Sequence, residues 1–431
     1  MIYDLDGNAV GKTAVRQTYE LLVASSDAED DIKANADYVC TGTNDELVLQ
    51  QAINAIANHG GGVLRLSKGT FYIDSFPQTD TAGDYCALML PIVGFYSISI
   101  LGAPCYTYGW SKDAELTEGT IIDVTENCYN SLSANTKYTI LRSAYASSLM
   151  ASSLKRHELN LDAVNFRIPS NQKQIVCLDC RFTNKIYLTR LAFRAFKSGF
   201  DGYSSGVPQV AGEGCIGFRS MMGSNAGQIA DMRNCIAQGF YEGFALGGEH
   251  LICMNLSTQY CVYGYTFGNY TYTEKCGHPI TLINCCDERN VNYPLFVNSG
   301  NMEASSRIGK QQMSIIDFNM ERAGASTVPG GVEGNKATET YPGAFCGSIN
   351  YTISTHHVNP NSTNVKFWAD GSGHGFISRN DAQELSGTST VRRAYAPNFM
   401  QAFYDTTVNK MLWCIDTANK TWVDAQGNTV A

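Results

Sequence analysis

The residues best equipped for chemistry in this chain are carboxylates that stand next to arginines. Asp287-Glu288-Arg289 lies in INCCDERNVNYPLF (283–296), and Glu321-Arg322 lies in IDFNMERAG (316–324). Two carboxylates flanking a scissile bond can divide the work of hydrolysis, one protonating the leaving oxygen while the other attacks or activates water. A guanidinium beside them can grip a substrate carboxylate with two parallel hydrogen bonds. Whether the two pairs meet depends on the elements that carry them.

Three upstream segments share their pattern: LTRLAFRAFKSGF (188–200), MRNCIAQGFYEGF (232–244) and MNLSTQYCVYGYTF (254–267). Aligning the turns puts Arg190, Asn234, Asn255, Asn284 and Asp317 in one column. Asn and Asp suit a tight turn, because both tolerate left-handed backbone and bond their own main chain. The repeat is loose, so stretches such as Asp201 to Glu213 must bulge out as loops. The same alignment stacks Gln238, Gln259, Glu288 and Glu321, and beside them Gly239, Tyr260, Arg289 and Arg322. Strands stacked in register lie ~4.8 Å apart. One step is near the ~5–5.5 Å carboxylate separation of a retaining glycosidase, and two steps approach the ~6.5–9.5 Å of an inverting one. Asp287, Glu288 and Glu321 are therefore the candidate catalytic residues, with Arg289, Arg322, Tyr260 and Gln259 as candidate substrate contacts. An ordinary cross-strand salt-bridge ladder on a solvated face has the same spacing, and both readings stand. Asp201, Asp231, Glu242 and Glu249 fall in loops or corners and are weaker candidates. Tyr260, Tyr263, Tyr265, Tyr270 and Tyr272 are dense enough for a sugar platform, and ladder stacking explains them equally well.

Composition narrows the partners. Among 431 residues, 44% are hydrophobic and only 16% charged, with 40 Gly and 24 Tyr. That is low in charge for a globular chain and favours strands and turns over helices. A net charge of −9 argues against nucleic acid. Neither an export signal nor an apolar run of membrane-spanning length is read, so membrane insertion is not expected. The 15 Cys are scattered and mostly set in apolar surroundings, as in Ile-Val-Cys177-Leu and Leu-Ile-Cys253-Met, which is the usage of buried free thiols. Cys177-x-x-Cys180 lacks a second ligand pair at zinc spacing, so neither metal nor cofactor is expected. Walker, Rossmann, HExxH and GxSxG motifs do not occur.

Thr13 to Ala24 (TAVRQTYELLVA) has helical spacing, and residues 1–36 read as a leader or attachment segment. The stretch 37–74, DYVCTGTNDELVLQQAINAIANHGGGVLRLSKGTFYID, is more specific. Thr43 to Asn58 reads as a helix with Asn44 as N-cap, Asp45 and Glu46 in the first turn, and Leu47, Leu49, Ile53 and Ile56 as its apolar side. Gly60-Gly61-Gly62 ends it. Val63 to Leu66 and Thr70 to Ile73 read as strands around a Lys68-Gly69 turn.

This block resembles the N-terminal signature of the pectate-lyase-like superfamily, in which an acidic-capped helix leads through a Gly-rich turn into strand-x-x-Gly-strand. The resemblance implies an all-β fold, a right-handed parallel β-helix whose helix caps the open end. Its members include pectin lyases, polygalacturonase-like hydrolases, epimerases and many bacteriophage tail spikes. In pectate lyases an Arg serves as base, a role the resemblance would lend to Arg289 or Arg322. The calcium-binding Asp cluster of those lyases has no clear match here, which disfavours lyase chemistry.

The end of the chain, APNFMQAFYDTTVNKMLWCIDTANKTWVDAQGNTVA (396–431), alternates strand-like runs with turns at Asp405 to Asn409 and Thr417 to Lys420. It resembles a small hairpin module of phage tail proteins, whose large side chains pack a short meander. The expected organisation is a leader (1–36), a parallel β-helix (37–345), an irregular end or linker (346–395) and the hairpin module (396–431). The expected function is that of a tail spike or receptor-binding protein that recognises, and can depolymerise, a bacterial surface polysaccharide. By resemblance it would be a homotrimer on a virion tail, made in the host cytoplasm, meeting other tail proteins through its N-terminal segment. A free polysaccharide hydrolase or lyase, at the bacterial surface or secreted, and a catalytically silent fibre protein are the alternatives. Fold alone does not separate them.

Overall fold

The computed structural model describes residues 19–79, 84–94, 96–104, 119–144, 158–195, 211–220, 229–247, 250–267, 280–288, 402–416 and 418–430. It also describes shorter strands at 2–3, 9–10, 293–298, 311–321, 343–346, 349–358, 367–370, 374–379 and 386–387. The chain is mostly β, with large parallel sheets. Its strands fall into three ladders that the chain visits in rotation. One circuit runs through Ile175–Asp179, Lys185–Thr189 and Ala192–Arg194, and the next through Ile216–Arg219, Ile229–Arg233 and Ile236–Gln238. Each strand pairs in parallel with its counterpart one circuit later, as Leu178↔Phe218, Leu188↔Met232 and Phe193↔Ala237. Within 346–395, read from the sequence as an irregular end or linker, strands Ile349–Val358, Phe367–Asp370 and His374–Arg379 extend the ladders.

Burial explains why these sequences take these places. In the second ladder, Glu158–Asp162 and Lys185–Thr189 bury every other residue, so one face meets water. In the first ladder, Ile175–Asp179, Ile216–Arg219 and Glu242–Leu246 are buried throughout, the near-continuous apolar run of a sheet covered on both faces. Between the ladders, Phe166 stacks on Phe193 at 5.4 Å, Phe193 meets Phe244 edge-on at 6.2 Å, and Phe244 stacks on Tyr265 at 5.6 Å. Each such side chain contributes about 1.5–3 kcal/mol on burial. A one-residue slip would turn a whole column outward, and the core therefore fixes the register.

The corner between the second and third ladders is one residue in left-handed backbone. Ala163, Arg190, Asn234, Asn255 and Asn284 have φ of 57°, 55°, 55°, 55° and 50°. Asn255 Nδ2 donates to Asn234 Oδ1 at 3.0 Å, and Asn284 Nδ2 donates to Asn255 Oδ1 at 2.7 Å. The turn column read from the repeat is this corner. The Asn284 amide bonds to Ile316 O, which brings Asp317 next in line.

Two sequence readings at the N-terminal end are corrected. Glu20–Ala24, assigned above to a helix, is a strand that pairs with Gly61–Leu66, Leu21 opposite Leu64. Pairing with an aliphatic partner strand outweighs the modest helix propensity of ELLVA. Thr13 to Thr18 lie outside the described residues. The helix Asp45–Asn58 forms as expected, but Asn44 sits in left-handed backbone (φ 52°) and makes no side-chain cap. Asp45 and Glu46 are buried instead. The Asp45 carboxylate accepts from the amides of Thr41, Gly42 and Tyr72 at 3.2, 3.0 and 3.0 Å, and Glu46 accepts from the Asp74 amide and the Ser75 hydroxyl. These two side chains tie the helix to the strand Gly69–Ile73. Leu49, Ala52, Ile53, Ile56 and Ala57 then face the core, whereas Leu47 is 46% exposed and belongs to the outer side. Gly62 must be glycine here, since a Cβ would lie 2.1 Å from the Tyr19 carbonyl oxygen.

The C-terminal strands Ala402–Asp405, Lys410–Asp416, Thr421–Val423 and Thr429–Val430 make an antiparallel meander, as the sequence indicates. Phe403, Leu412, Cys414 and Trp422 are its core. Its three turns share one device: Asp405, Asp416 and Asp424 each accept two backbone amides from the residues that follow.

Replacing Asp45 with Ala strands three amide donors, and the expected loss is about 2–4 kcal/mol in unfolding free energy. Leu47→Ala, on the solvent side of the same helix, should stay within about 0.5 kcal/mol. Thermal and denaturant unfolding of both variants checks this. Equal losses would return Leu47 to the core.

Candidate functional site

The third ladder carries a polar column at its outer edge. Register places Tyr72, Asp123, Arg167, Arg194, Gln238, Gln259, Glu288 and Glu321 on successive strands. Backbone pairing therefore brings Glu288 and Glu321 to adjacent steps, about 4.8 Å apart along the ladder. Arg167 Nη2 reaches Asp123 Oδ2 at 2.9 Å, and Gln238 Nε2 donates to Gln259 Oε1. Asp123, Arg194, Gln238 and Gln259 are buried although they sit on the outward phase of the strand. The intervening phase, Phe71, Ile122, Phe166, Phe193, Ala237 and Thr258, is buried in the core.

That phase separates the sequence candidates. Asp287 takes the register position of Thr258 and Met320, one residue out of step with Glu288 and Glu321. Gln259 is in the column, bonded to Gln238. Tyr260 follows it at a left-handed corner, φ 54°, half-buried, as Gly239 does one circuit earlier at φ 80°. The side chains of Asp287, Glu288 and Glu321 lie outside the described residues, as do Arg289 and Arg322 altogether. Of the weaker carboxylates, Asp231 pairs with Arg233 at 2.8 Å, and Glu242 is buried and accepts from the Thr266 hydroxyl at 2.5 Å. Asp201 and Glu249 lie outside the described residues. Tyr263 and Tyr265 are buried in the first ladder, and the Tyr265 hydroxyl is spent on the carbonyls of Leu256 and Cys286. They are packing residues and no part of a sugar platform. Tyr270 and Tyr272 are outside the described residues.

A second constellation escaped the sequence reading. Arg142, Asp179 and Arg219 occupy one register position on three successive strands of the first ladder. Asp179 accepts from the Arg181 amide at 3.1 Å, from Arg181 Nε at 3.0 Å and Nη2 at 2.9 Å, and from Arg219 Nη2 at 2.6 Å. Asp84 Oδ2 lies 3.5 Å from Arg142 and 3.7 Å from Arg181, and both guanidiniums pass over the ring of Phe182. Burial alone would raise the Asp179 carboxyl. Arg181 and Arg219 outweigh it and hold the group well below the usual carboxylate range. Such a carboxylate keeps no proton to give near neutrality, so the cluster ties three strand ends together and is unsuited to acid–base work. Its only trace in the sequence is a charged residue closing each apolar run, in YTILRS, IVCLDC and IGFRS.

Among the described residues, no group of His, Cys, Asp and Glu is placed to hold a metal ion. No described helix is long and apolar enough to cross a membrane. Cys177, Cys180 and Cys253 are buried, and burial drives their thiols well above the ordinary value.

No protein-family model matches the chain, and no curated protein does. Among solved structures the chain is similar to ORF18 of Geobacillus virus E2, at 10% identity over 89% of this chain and 71% of that one, with a TM-score of 0.34. A likeness of that size decides neither fold nor function, and the account of the fold rests on the strand pairing above.

Asp179→Ala leaves the arginines without their shared acceptor and should cost about 3–5 kcal/mol. The pH dependence follows from the depressed carboxyl. Its stabilisation is fully present above the unfolded carboxylate value of ~3.9 and fades as pH falls through the lower folded value. The stability gap between wild type and Asp179→Asn should thus be constant from pH 7 to about 4.5 and narrow below ~4. A gap that widens on acidification contradicts the assignment.

Proposed function

We propose that this chain is a right-handed parallel β-helix that acts as a tail spike or receptor-binding protein, recognising a bacterial surface polysaccharide. Rotation through three parallel ladders, the capping helix and the left-handed asparagine corner support the β-helix. The observation that carries the carbohydrate reading is the polar column of the third ladder, which runs through Gln238 and Gln259 to Glu288 and Glu321 on adjacent steps. Amides, arginines and carboxylates repeating at sugar-like intervals suit a polymer of hydroxyls. A pair of carboxylates one step apart suits retaining hydrolysis, with Glu288 and Glu321 as acid and nucleophile. Homotrimeric assembly, a place on the virion tail and contact with other tail proteins through residues 1–36 complete the proposal by resemblance.

A silent structural spike is the second reading, favoured by one feature: Asp123–Arg167 and Gln238–Gln259 are bonded within the column itself.

Purified protein incubated with bacterial capsules, O-antigens and plant polysaccharides should release reducing ends. Glu288→Gln/Glu321→Gln should lower that release by at least ~10²-fold. Absorbance from unsaturated ends would instead mark a lyase. Cleavage that survives the double variant moves the site elsewhere, and binding without cleavage selects the silent spike.

A further inference from the structure

The middle of the polar column contains buried polar atoms that the protein leaves unsatisfied. Asn165 and Arg167 lie two residues apart on the strand Val164–Arg167, hence on one face of it. Arg194 is opposite Arg167 on the next strand, and Gln238 is opposite Arg194 on the one after. Asn165 is 2% exposed, and its Nδ2 has no hydrogen-bond partner; the same holds for Arg167 Nε and Gln238 Oε1. Buried polar groups are nearly always paired, so three unpaired atoms within three adjacent steps ask for a bound group. The set comprises two donors and one acceptor. A ligand that matches it must accept twice and donate once, as a carboxylate beside a hydroxyl does. Charge agrees with this. Arg167 and Arg194 place two guanidiniums on adjacent steps of the column, the first of them bonded to Asp123.

We propose that Asn165, Arg167, Arg194 and Gln238 form a subsite for a carboxylate-bearing sugar unit, so that the polysaccharide recognised is an acidic one. This rests on the carbohydrate reading and extends the site to the steps before Glu288. The carboxylate lies against the guanidiniums of Arg167 and Arg194 and accepts from Asn165, while a ring hydroxyl donates to Gln238. The chain then runs along the column, with Glu288 two steps beyond Gln238.

The test is binding of hyaluronan, alginate, polysialic acid and polygalacturonate oligomers, with dextran as the neutral counterpart, measured by calorimetry on the full chain. Wild type should bind at least one acidic oligomer at least tenfold more tightly than dextran. Gln238→Glu keeps the shape of the side chain but sets a like charge against the ligand. It should weaken acidic binding at least tenfold, and because it also removes the Nε2 donor to Gln259, circular dichroism and Tm establish that the variant is folded under the binding conditions. Arg194→Gln should do the same, and Arg194→Lys should restore part of the loss. Acidic binding that all three variants leave intact overturns the subsite while the carbohydrate reading stands. Dextran bound as tightly as the acidic oligomers overturns the acidic class. No binding to any of these glycans overturns the subsite, and capture of another glycan from the capsule panel would then leave the carbohydrate reading in place.

Discussion

Parallel register is the constraint on which the molecule depends. Among the described residues, the strands of the three ladders are bonded in parallel to strands about one circuit away in sequence, and the one hairpin of these sheets, Gln78–Thr79 with Tyr85–Leu90, sits at a sheet edge. Side chains alternate with a period of two, so the inward column of Phe166, Phe193 and Ala237 and the outward column of Arg167, Arg194 and Gln238 are set by the same registration. Moving a strand by one residue would bury Arg194 in the aromatic stack and expose Phe193. The separation between a buried aromatic and a buried guanidinium is thus one residue wide, and the aromatic core protects it.

The corners convert that register into a continuous structure. A single left-handed residue joins the second and third ladders, and side-chain amides of Asn234, Asn255 and Asn284 bond from one circuit to the next. Each amide both donates and accepts, so the chain of bonds can be extended by adding circuits. Charged residues do not share that property, and they are handled differently at the end of the first ladder. There Asp179 gathers Arg181 from just past the end of its own strand and Arg219 from the next strand, with Asp84 beside Arg142 and Arg181. Leaving one partner out of such a set strands a buried charge, which locks three strand ends to one another.

What the sequence made legible is what local chemistry dictates. Asn in a tight corner has a backbone reason, and the column of Arg190, Asn234, Asn255 and Asn284 could be aligned from it. The polar column followed because it keeps a fixed offset from that corner. The meander at the end of the chain was legible from its turns and large side chains, now seen as Asp405, Asp416 and Asp424 beside the core of Phe403 and Trp422. Interactions between residues far apart in sequence were not. Glu20–Ala24 is a strand because of a partner some forty residues on. Asp45 and Glu46 were read as helix-dipole residues, whereas amides from outside the helix hold them buried. Leu47 fits a helical stripe drawn on a wheel, and the direction of the core excludes it. The cluster around Asp179 leaves only a charged residue at the end of three apolar runs, a pattern without a local cause.

The polar column changes character along its length, and hydrogen-bond arithmetic shows where. Glutamines on adjacent steps can bond to each other, the Nε2 of one donating to the Oε1 of the next, as Gln238 and Gln259 do, while Gln238 Oε1 stays unpaired. An Arg beside an Asp forms an ion pair, as Arg167 and Asp123 do, with Arg167 Nε left over. Glutamate on adjacent steps has no such solution. Two carboxylates carry only acceptors when both are ionised, so a pair such as Glu288 and Glu321 on adjacent steps needs donors from elsewhere or a shared proton. The step from Gln259 to Glu288 is therefore where the residue type in the column changes from amide to carboxylate. The arginine that follows each glutamate in sequence supplies one answer, a hydroxyl-rich ligand another, and the two differ in what they demand of the corner residue. Gly239 and Tyr260 occupy that corner beside the two glutamines, in left-handed backbone with no charge to offer. Arg289 and Arg322 take the same place in the sequence alignment beside the two glutamates. In the sequence alignment, the change of residue type at the corner keeps step with the change from amide to carboxylate in the column, so both follow from one register.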